Sequence, residues 1–215
     1  MKVSIFLVML ILIFFYFSEI RSHGMLMQPV NRGSAWREGF STPINYDDNA
    51  NYCGGFSVQY AVNNGKCGLC GDNYAIKRPR PNENNGYYGK GVIVKRYQAG
   101  DKIELIVRIT ANHIGYFQFA ICPLKNTKDI ETEACFKKYP IILMNNKDRY
   151  MVPVGLVGLI KIKAYLPKNL TCEHCVLRWH YRAGNNWGIC KNGKGALGCG
   201  SQETFRTCSD IAIDP

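Results

Sequence analysis

Ten cysteines, at positions 53, 67, 70, 122, 135, 172, 175, 190, 199 and 208, constrain the fold of this 215-residue chain more than any other feature. An even count at this density is what a disulfide framework in an oxidising compartment requires. Spacing does not select among the roughly 945 pairings that ten cysteines allow. A rival use is a four-cysteine zinc site built from Cys67-x-x-Cys70 and Cys172-x-x-Cys175, a pattern at home in reducing compartments. The N-terminus favours disulfides. Met1-Lys2 opens a basic start, residues 3–17 form a nearly unbroken apolar run, and a short polar stretch ends at Ser22. This is the layout of a secretory signal peptide. About 15 apolar residues fall short of the roughly 20 that a spanning helix needs, so a membrane anchor is disfavoured. The expected division is a signal peptide over 1–22 and one secreted domain over 23–215. The local pattern also admits a cut after Ser18.

Beyond the leader, residues 23–215 contain no second apolar run of transmembrane length, no repeat of 20 to 50 residues and no Pro- or Ser-rich linker. A period of two dominates. Ile103, Leu105, Val107 and Ile109 alternate with Glu104, Ile106 and Arg108, which describes a strand with one face in a core. Comparable runs cover 91–97, 115–121, 159–166, 176–182 and 210–213. Clusters of Gly, Asn, Pro and Cys separate them, and no long helical period appears. The expectation is an all-β sandwich. Residues 23–90 read as a long loop region pinned by Cys53, Cys67 and Cys70. Loops of that length in a compact domain are functional or disordered, and the cysteines argue for order.

The formal net charge of +11 invites a nucleic-acid reading. Placement argues against it. Lys90, Lys95, Arg96, Lys102 and Arg108 scatter among the expected strands, and Lys161 and Lys163 alternate with Ile160 and Ile162, as solvated strand faces do. No helix-turn-helix, zinc finger or basic helix accompanies them. No nucleic-acid partner is expected, and an acidic matrix stays open as a partner for this basic surface. Asn169-Leu170-Thr171 is an N-glycosylation acceptor, in keeping with export. Glu38, Asp47, Asp48, Asp72 and Glu83 offer no pair whose spacing singles out a hydrolytic acid and base.

The four histidines are His23, His113, His174 and His180. Cleavage after Ser22 makes His23 the N-terminus, and such a residue offers a free amine and an imidazole Nδ1 to one metal ion. A second imidazole completes three nitrogens, a set suited to copper in both common oxidation states. His180, opposite Leu177, Trp179 and Tyr181 in an alternating strand, reads as a surface residue. His174 lies inside a Cys-x-x-Cys loop. His113 sits in a connection between two strands, where a ligand is held rigidly.

Three blocks then form a recognisable order: His23-Gly24, Thr110-Ala111-Asn112-His113-Ile114-Gly115-Tyr116-Phe117, and Phe205-Arg206-Thr207-Cys208-Ser209-Asp210-Ile211. With Ser34-Ala35-Trp36-Arg37, Tyr52-Cys53-Gly54-Gly55, Cys67-Gly68-Leu69-Cys70-Gly71-Asp72 and Arg182-Ala183-Gly184-Asn185-Asn186-Trp187-Gly188, the chain resembles the insect-type lytic polysaccharide monooxygenases of auxiliary-activity family fifteen, related to the bacterial chitin-active type. The resemblance spans essentially all of 23–215. It implies an immunoglobulin- or fibronectin-III-like sandwich with long disulfide-pinned loops and one copper ion on a flat, exposed face. His23 would supply amine and Nδ1, and His113 the third nitrogen. Ala111 would flank the open coordination position, and Phe205 would stand at the axial place, where insect members often carry Tyr.

The implied reaction is oxidative cleavage of a crystalline polysaccharide, using an external electron donor and O2 or H2O2. Chitin is the first expectation and cellulose the second. Trp36, Tyr46, Tyr52, Tyr74, Tyr87 and Tyr88 populate the region where the family builds its substrate face. A non-catalytic chitin-binding protein would share the sandwich but not require a free His23. A copper carrier would share the metal site without the oxidative chemistry. The chain is taken as a monomer.

Overall fold

The computed structural model describes residues 24–215. The signal-peptide expectation and His23 therefore lie outside the described residues. Two sheets stack face to face. The first contains, in spatial order, β1 (Gly24–Gln28), β3 (Lys102–Ile109), β7 (Gly158–Tyr165) and β5 (Ile142–Leu143), all antiparallel. The second contains β2 (Lys95–Gln98), β11 (Thr204–Asp214), β8 (Cys172–Arg182), β4 (Tyr116–Pro123) and β6 (Tyr150–Met151). Only β2 runs parallel to its neighbour, β11. A separate hairpin pairs β9 (Trp187–Ile189) with β10 (Gly195–Leu197). Among the described residues, besides short 3-10 and π turns at Ala35–Glu38 and Val58–Val62, there is one α-helix, α1 (Glu133–Lys138), capped by Thr132, whose side chain accepts a hydrogen bond from the Cys135 N–H.

The alternation read from the sequence is the alternation of burial. Ile103, Leu105, Val107 and Ile109 of β3 face Leu177, Trp179 and Tyr181 of β8, with Phe117, Phe119 and Ile121 of β4 alongside. These inward residues form one continuous core between the sheets, as the two inner faces of a sandwich must. The expected strand at 91–97 is shorter than anticipated. Only Lys95–Gln98 pairs as a strand, because Val94 donates its N–H to Asp210 and marks where the chain joins the edge of β11.

The long early segment departs from expectation in one respect, since its first five described residues are strand β1. The rest folds over the outer face of the second sheet and makes a third layer. Leu69 and Cys70 from the loops and Phe136 from α1 pack on Cys122, Val176 and Cys208. Disulfides Cys53–Cys67 and Cys70–Cys208 tie this layer down. The second spans 138 residues of sequence, for which loop entropy alone gives about 5 kcal/mol. Cys122–Cys135, Cys172–Cys175 and Cys190–Cys199 complete the set. The zinc alternative fails here: Cys67 and Cys70 bond to different partners, Cys172 and Cys175 bond to each other, and no cysteine is free.

Candidate functional site

The turn joining β3 to β4 carries His113, and its backbone is held from every side. Asn112 shapes the turn: its amide nitrogen donates to the carbonyls of Pro153 (2.8 Å) and Leu156 (2.7 Å), and its Oδ1 accepts from the Ile114 N–H (2.6 Å). Ile114 then takes a φ of +44°, a conformation costing about 1–3 kcal/mol for a β-branched residue. Gly115 follows at φ +84°, where a Cβ would lie 2.1 Å from the Arg182 carbonyl oxygen, so no other residue fits. The His113 N–H donates to the Tyr181 phenol oxygen (3.0 Å), and its carbonyl accepts from Gly184 (2.8 Å).

The imidazole stands edge-on to Phe205, with ring centroids 6.4 Å apart and planes at 84°. Phe205 is fully buried and stacks on Tyr181 at 5.5 Å, with Tyr52 on another side at 6.4 Å. Burial raises the Tyr181 phenol above its ordinary pKa, which keeps it protonated as the His113 N–H approaches. His113 Nδ1 is buried and has no hydrogen-bond partner; the Glu203 carboxylate lies 3.5 Å away. A carboxylate on that side favours a proton on Nδ1 and leaves the lone pair on Nε2.

Ala111 lies half-buried in the same turn, two residues before His113. Gly24, the first described residue, pairs with Ile109 at the end of β3. A Cβ on Gly24 would come within 2.6 Å of Ile109 Cδ1, so a larger residue there would make that side chain shift. His113, Phe205 and Ala111 thus converge at one end of the sandwich. Asn169 does not join them: it is exposed in the link between β7 and β8.

An open depression of about 590 Å³ adjoins the histidine, lined by Phe56, His113, Asn185, Asn186, Trp187, Ser201 and Glu203. The aromatics expected at the substrate face are not among these residues. Tyr52 supports Phe205 from below, Trp36 packs against Tyr46, and Tyr87 against Tyr88. The aromatic rings that line it are Phe56 and Trp187, the latter 66% exposed on the β9–β10 hairpin. Gly195 on the facing strand makes room for the indole, since a Cβ there would sit 2.1 Å from Trp187 Cζ2. The buried Gln202 side chain fixes the hairpin base: it donates to the Asn186 and Cys199 carbonyls and accepts from the Asn186 N–H. Sequence reading missed Trp187, Glu203 and Gln202. For Glu203 the available signal was Glu203-x-Phe205, a two-residue spacing on the entry to β11.

The remaining histidines sit elsewhere. His174 lies within β8, its Nε2 2.7 Å from Asp210 Oδ1. His180 is not the surface residue expected. Burial, then Arg206, Arg178 and Arg182, lower its pKa well below the ordinary value. Cys70, Glu131 and Cys208 also bring ligand atoms within 4.8 Å, but both sulfurs belong to the disulfide and Glu131 is paired with Arg32.

Comparisons with known proteins agree with this architecture. The family model described as "Lytic polysaccharide mono-oxygenase, cellulose-degrading" matches residues 23–211. No curated protein sequence compared with the chain matches it. Among solved structures, an AA15 lytic polysaccharide monooxygenase from Thermobia domestica in its Cu(I) state is 43% identical, with a TM-score of 0.87 over 89% of this chain and 99% of that one. The cellulose-active CelS2 with copper is 14% identical, with a TM-score of 0.46 over 89% of this chain and 99% of that one. A monooxygenase from Micromonospora aurantiaca is also 14% identical, at 0.41 over 88% and 99%. The family model spans most of the sequence and the Thermobia structure most of the fold, so this chain belongs to the lytic polysaccharide mono-oxygenases.

Proposed function

We propose that the chain is cleaved after Ser22, secreted as a single domain and loaded with one copper ion at His23 and His113, and that it cleaves chitin oxidatively at the polymer surface. The observation that carries the reading is the His113 imidazole, rigidly held by its backbone, with Nδ1 buried beside Glu203. Residues with these donors fit copper: two imidazoles and a terminal amine form a nitrogen-only set. Gly24, covalently next to His23, is paired with Ile109, four residues before His113, which supports a shared site. When bound, copper supplies the one-electron chemistry by which an external donor and O2 or H2O2 oxidise a glycosidic C–H bond.

The chain's own residues do the rest. The negative charge of Glu203, 3.5 Å from His113 Nδ1, favours the tautomer with its proton there and so keeps Nε2 available as a ligand. Phe205 closes the inner side with a hydrocarbon edge and offers no phenol oxygen. Ala111 leaves the outer side accessible through its small methyl. Trp187 presents an exposed indole that lies over Gly195 of the facing strand, a platform for a pyranose ring. Asn185, Asn186 and Ser201 line the same depression with amides and a hydroxyl, matching the acetamido groups of chitin. Cellulose is the alternative substrate, and the description of the matching family model names it. Glycosylation at the exposed Asn169 accompanies export.

The decisive experiment incubates the processed, copper-loaded protein with β-chitin, and separately with cellulose, in the presence of ascorbate. Mass spectrometry reads the products, with His113→Ala as control. Oxidised chito-oligosaccharides that disappear in the control are the expected result. Oxidised cello-oligosaccharides alone would reassign the substrate. Tight copper binding with neither product would leave a copper carrier.

A further inference from the structure

On the outer face of the second sheet, far from His113, two arginines share one carboxylate. Arg178 and His180 of β8 point outward, and the pairing register sets His180 beside Arg206 of β11 and Gln118 of β4. Arg206 Nη1 lies 2.7 Å from Glu133 Oε1, and Arg178 Nη1 lies 3.0 Å from the same oxygen. Arg206 is well satisfied: Nη1 also reaches the Cys67 and Gly68 carbonyls, and Nε donates to His180 Nδ1 at 3.1 Å. Arg178 is not. Its Nη1 sits close to Glu133 without an aligned hydrogen bond, and its Nε has no partner, although the residue is only 8% exposed and its guanidinium lies 4.1 Å over the Phe136 ring.

The imbalance is electrostatic. Arg178, Arg206 and, at the rim, Lys137 face the carboxylate of Glu133; Glu131 also favours the Arg178 charge but is paired with Arg32, and Asp148 at the other rim is engaged by Gln118. Burial, then repulsion from Arg206, pushes the Arg178 guanidinium down to about 10. His180 contributes a donor rather than a charge. Arg206 has only donors to offer, so His180 Nδ1 must accept and the ring proton resides on Nε2. Arg178, His180 and Lys137 all line one cavity of about 160 Å³, floored by Phe136 and Ala120. A buried cation with unmade hydrogen bonds is costly unless something completes it.

We propose that this cavity is a binding site for a small inorganic oxyanion of the sulfate or phosphate type, held by Arg178, the His180 Nε2–H and Lys137. The site is independent of the copper reading. Arg178 lies six residues along the chain from Gly184, the partner of the His113 carbonyl, which is roughly 20 Å at strand spacing. The anion balances the charge of the second arginine from the cavity that Arg178 lines.

The test is thermal unfolding of the copper-loaded protein in sodium sulfate or phosphate, with sodium chloride holding ionic strength constant, and calorimetric titration of the same anions. The expected result is a saturable rise in Tm, roughly 5–10 °C at a hundredfold excess over the dissociation constant. Arg178→Met removes the unbalanced charge, keeps much of the volume and leaves Arg206 and Glu133 paired one to one. It should lose the response and, in chloride alone, melt no lower than the parent. Lys137→Ala, on the exposed side of α1, should fold normally and weaken binding roughly three- to fivefold. A rise that fails to saturate, or that both variants retain unchanged, is a general salting effect and overturns the proposal. So does an Arg178→Met protein markedly less stable in chloride, because the arginine would then be satisfied without an anion.

Discussion

At the level of single residues, the site depends on how His113 is fixed from behind. Two contacts separate orientation from chemistry: the Tyr181 hydroxyl takes the His113 N–H, and Glu203 faces Nδ1. Replacing Tyr181 by Phe keeps the stack on Phe205 but strands the amide, a loss of about 1–3 kcal/mol for a polar group left unsatisfied. Urea denaturation reads this directly; no shift in midpoint would mean that water replaces the phenol. Glu203→Gln preserves shape while removing the negative charge that faces Nδ1. Partners of this kind are worth about ten- to a hundredfold in metal affinity. Competition against a chromogenic chelator should therefore show weaker copper binding in Glu203→Gln with an unchanged melting temperature. Equal affinities would remove Glu203 from the account. His113 was legible in the sequence because it stands between two strongly alternating strands. Glu203 was not, since its partner is 90 positions away and only the register of β11 on β8 brings it there.

At the level of elements, strands announced themselves where one face meets the core and the other meets water, as in β3 and β7. They stayed hidden where that contrast fails. Thr204–Asp210 of β11 is buried on both faces because the loop layer covers its outer side, so Arg206 and Asp210 fall where polar residues would ordinarily mark solvent. The hairpin fails in the opposite way. Trp187, Ile189 and Leu197 are all well exposed, and three-residue strands leave no period to count. An indole this exposed, on the rim of the His113 depression, is open to contact from outside the molecule. Trp187→Ala should weaken binding to β-chitin about threefold to tenfold, the scale of one aromatic contact. It should leave copper affinity unaltered. A sedimentation assay on the insoluble polymer measures the first quantity, and binding equal to the parent's would show that the hairpin does not touch substrate.

At the level of the whole molecule, the loop layer is tied to the second sheet by a buried charge cluster. Arg32, in the loop just beyond β1, makes two hydrogen bonds to Asp210 of β11 and one to Glu131, which lies on the approach to α1. His174 approaches Asp210 from β8. Three distant stretches of sequence thus meet at a carboxylate that is 2% exposed. Burial alone would raise the Asp210 pKa, but Arg32 and then His174 outweigh it and hold the carboxyl at about 2. The sign follows from that direction. A carboxyl depressed in the fold stabilises it at neutral pH and loses the contribution as pH falls from its unfolded value, about 4, through its folded value, a difference of about 2 kcal/mol. Asp210→Asn removes the charge at every pH and leaves Arg32 with Glu131 alone, a loss of about 3–5 kcal/mol at pH 7. Melting temperatures of the two proteins should therefore lie far apart at neutral pH and approach one another between pH 4 and 2, as the parent's own carboxylate takes up its proton. A gap that stays constant down to pH 2 would show that Asp210 contributes through shape and packing, and that the loop layer is held by its disulfides without help from this charge.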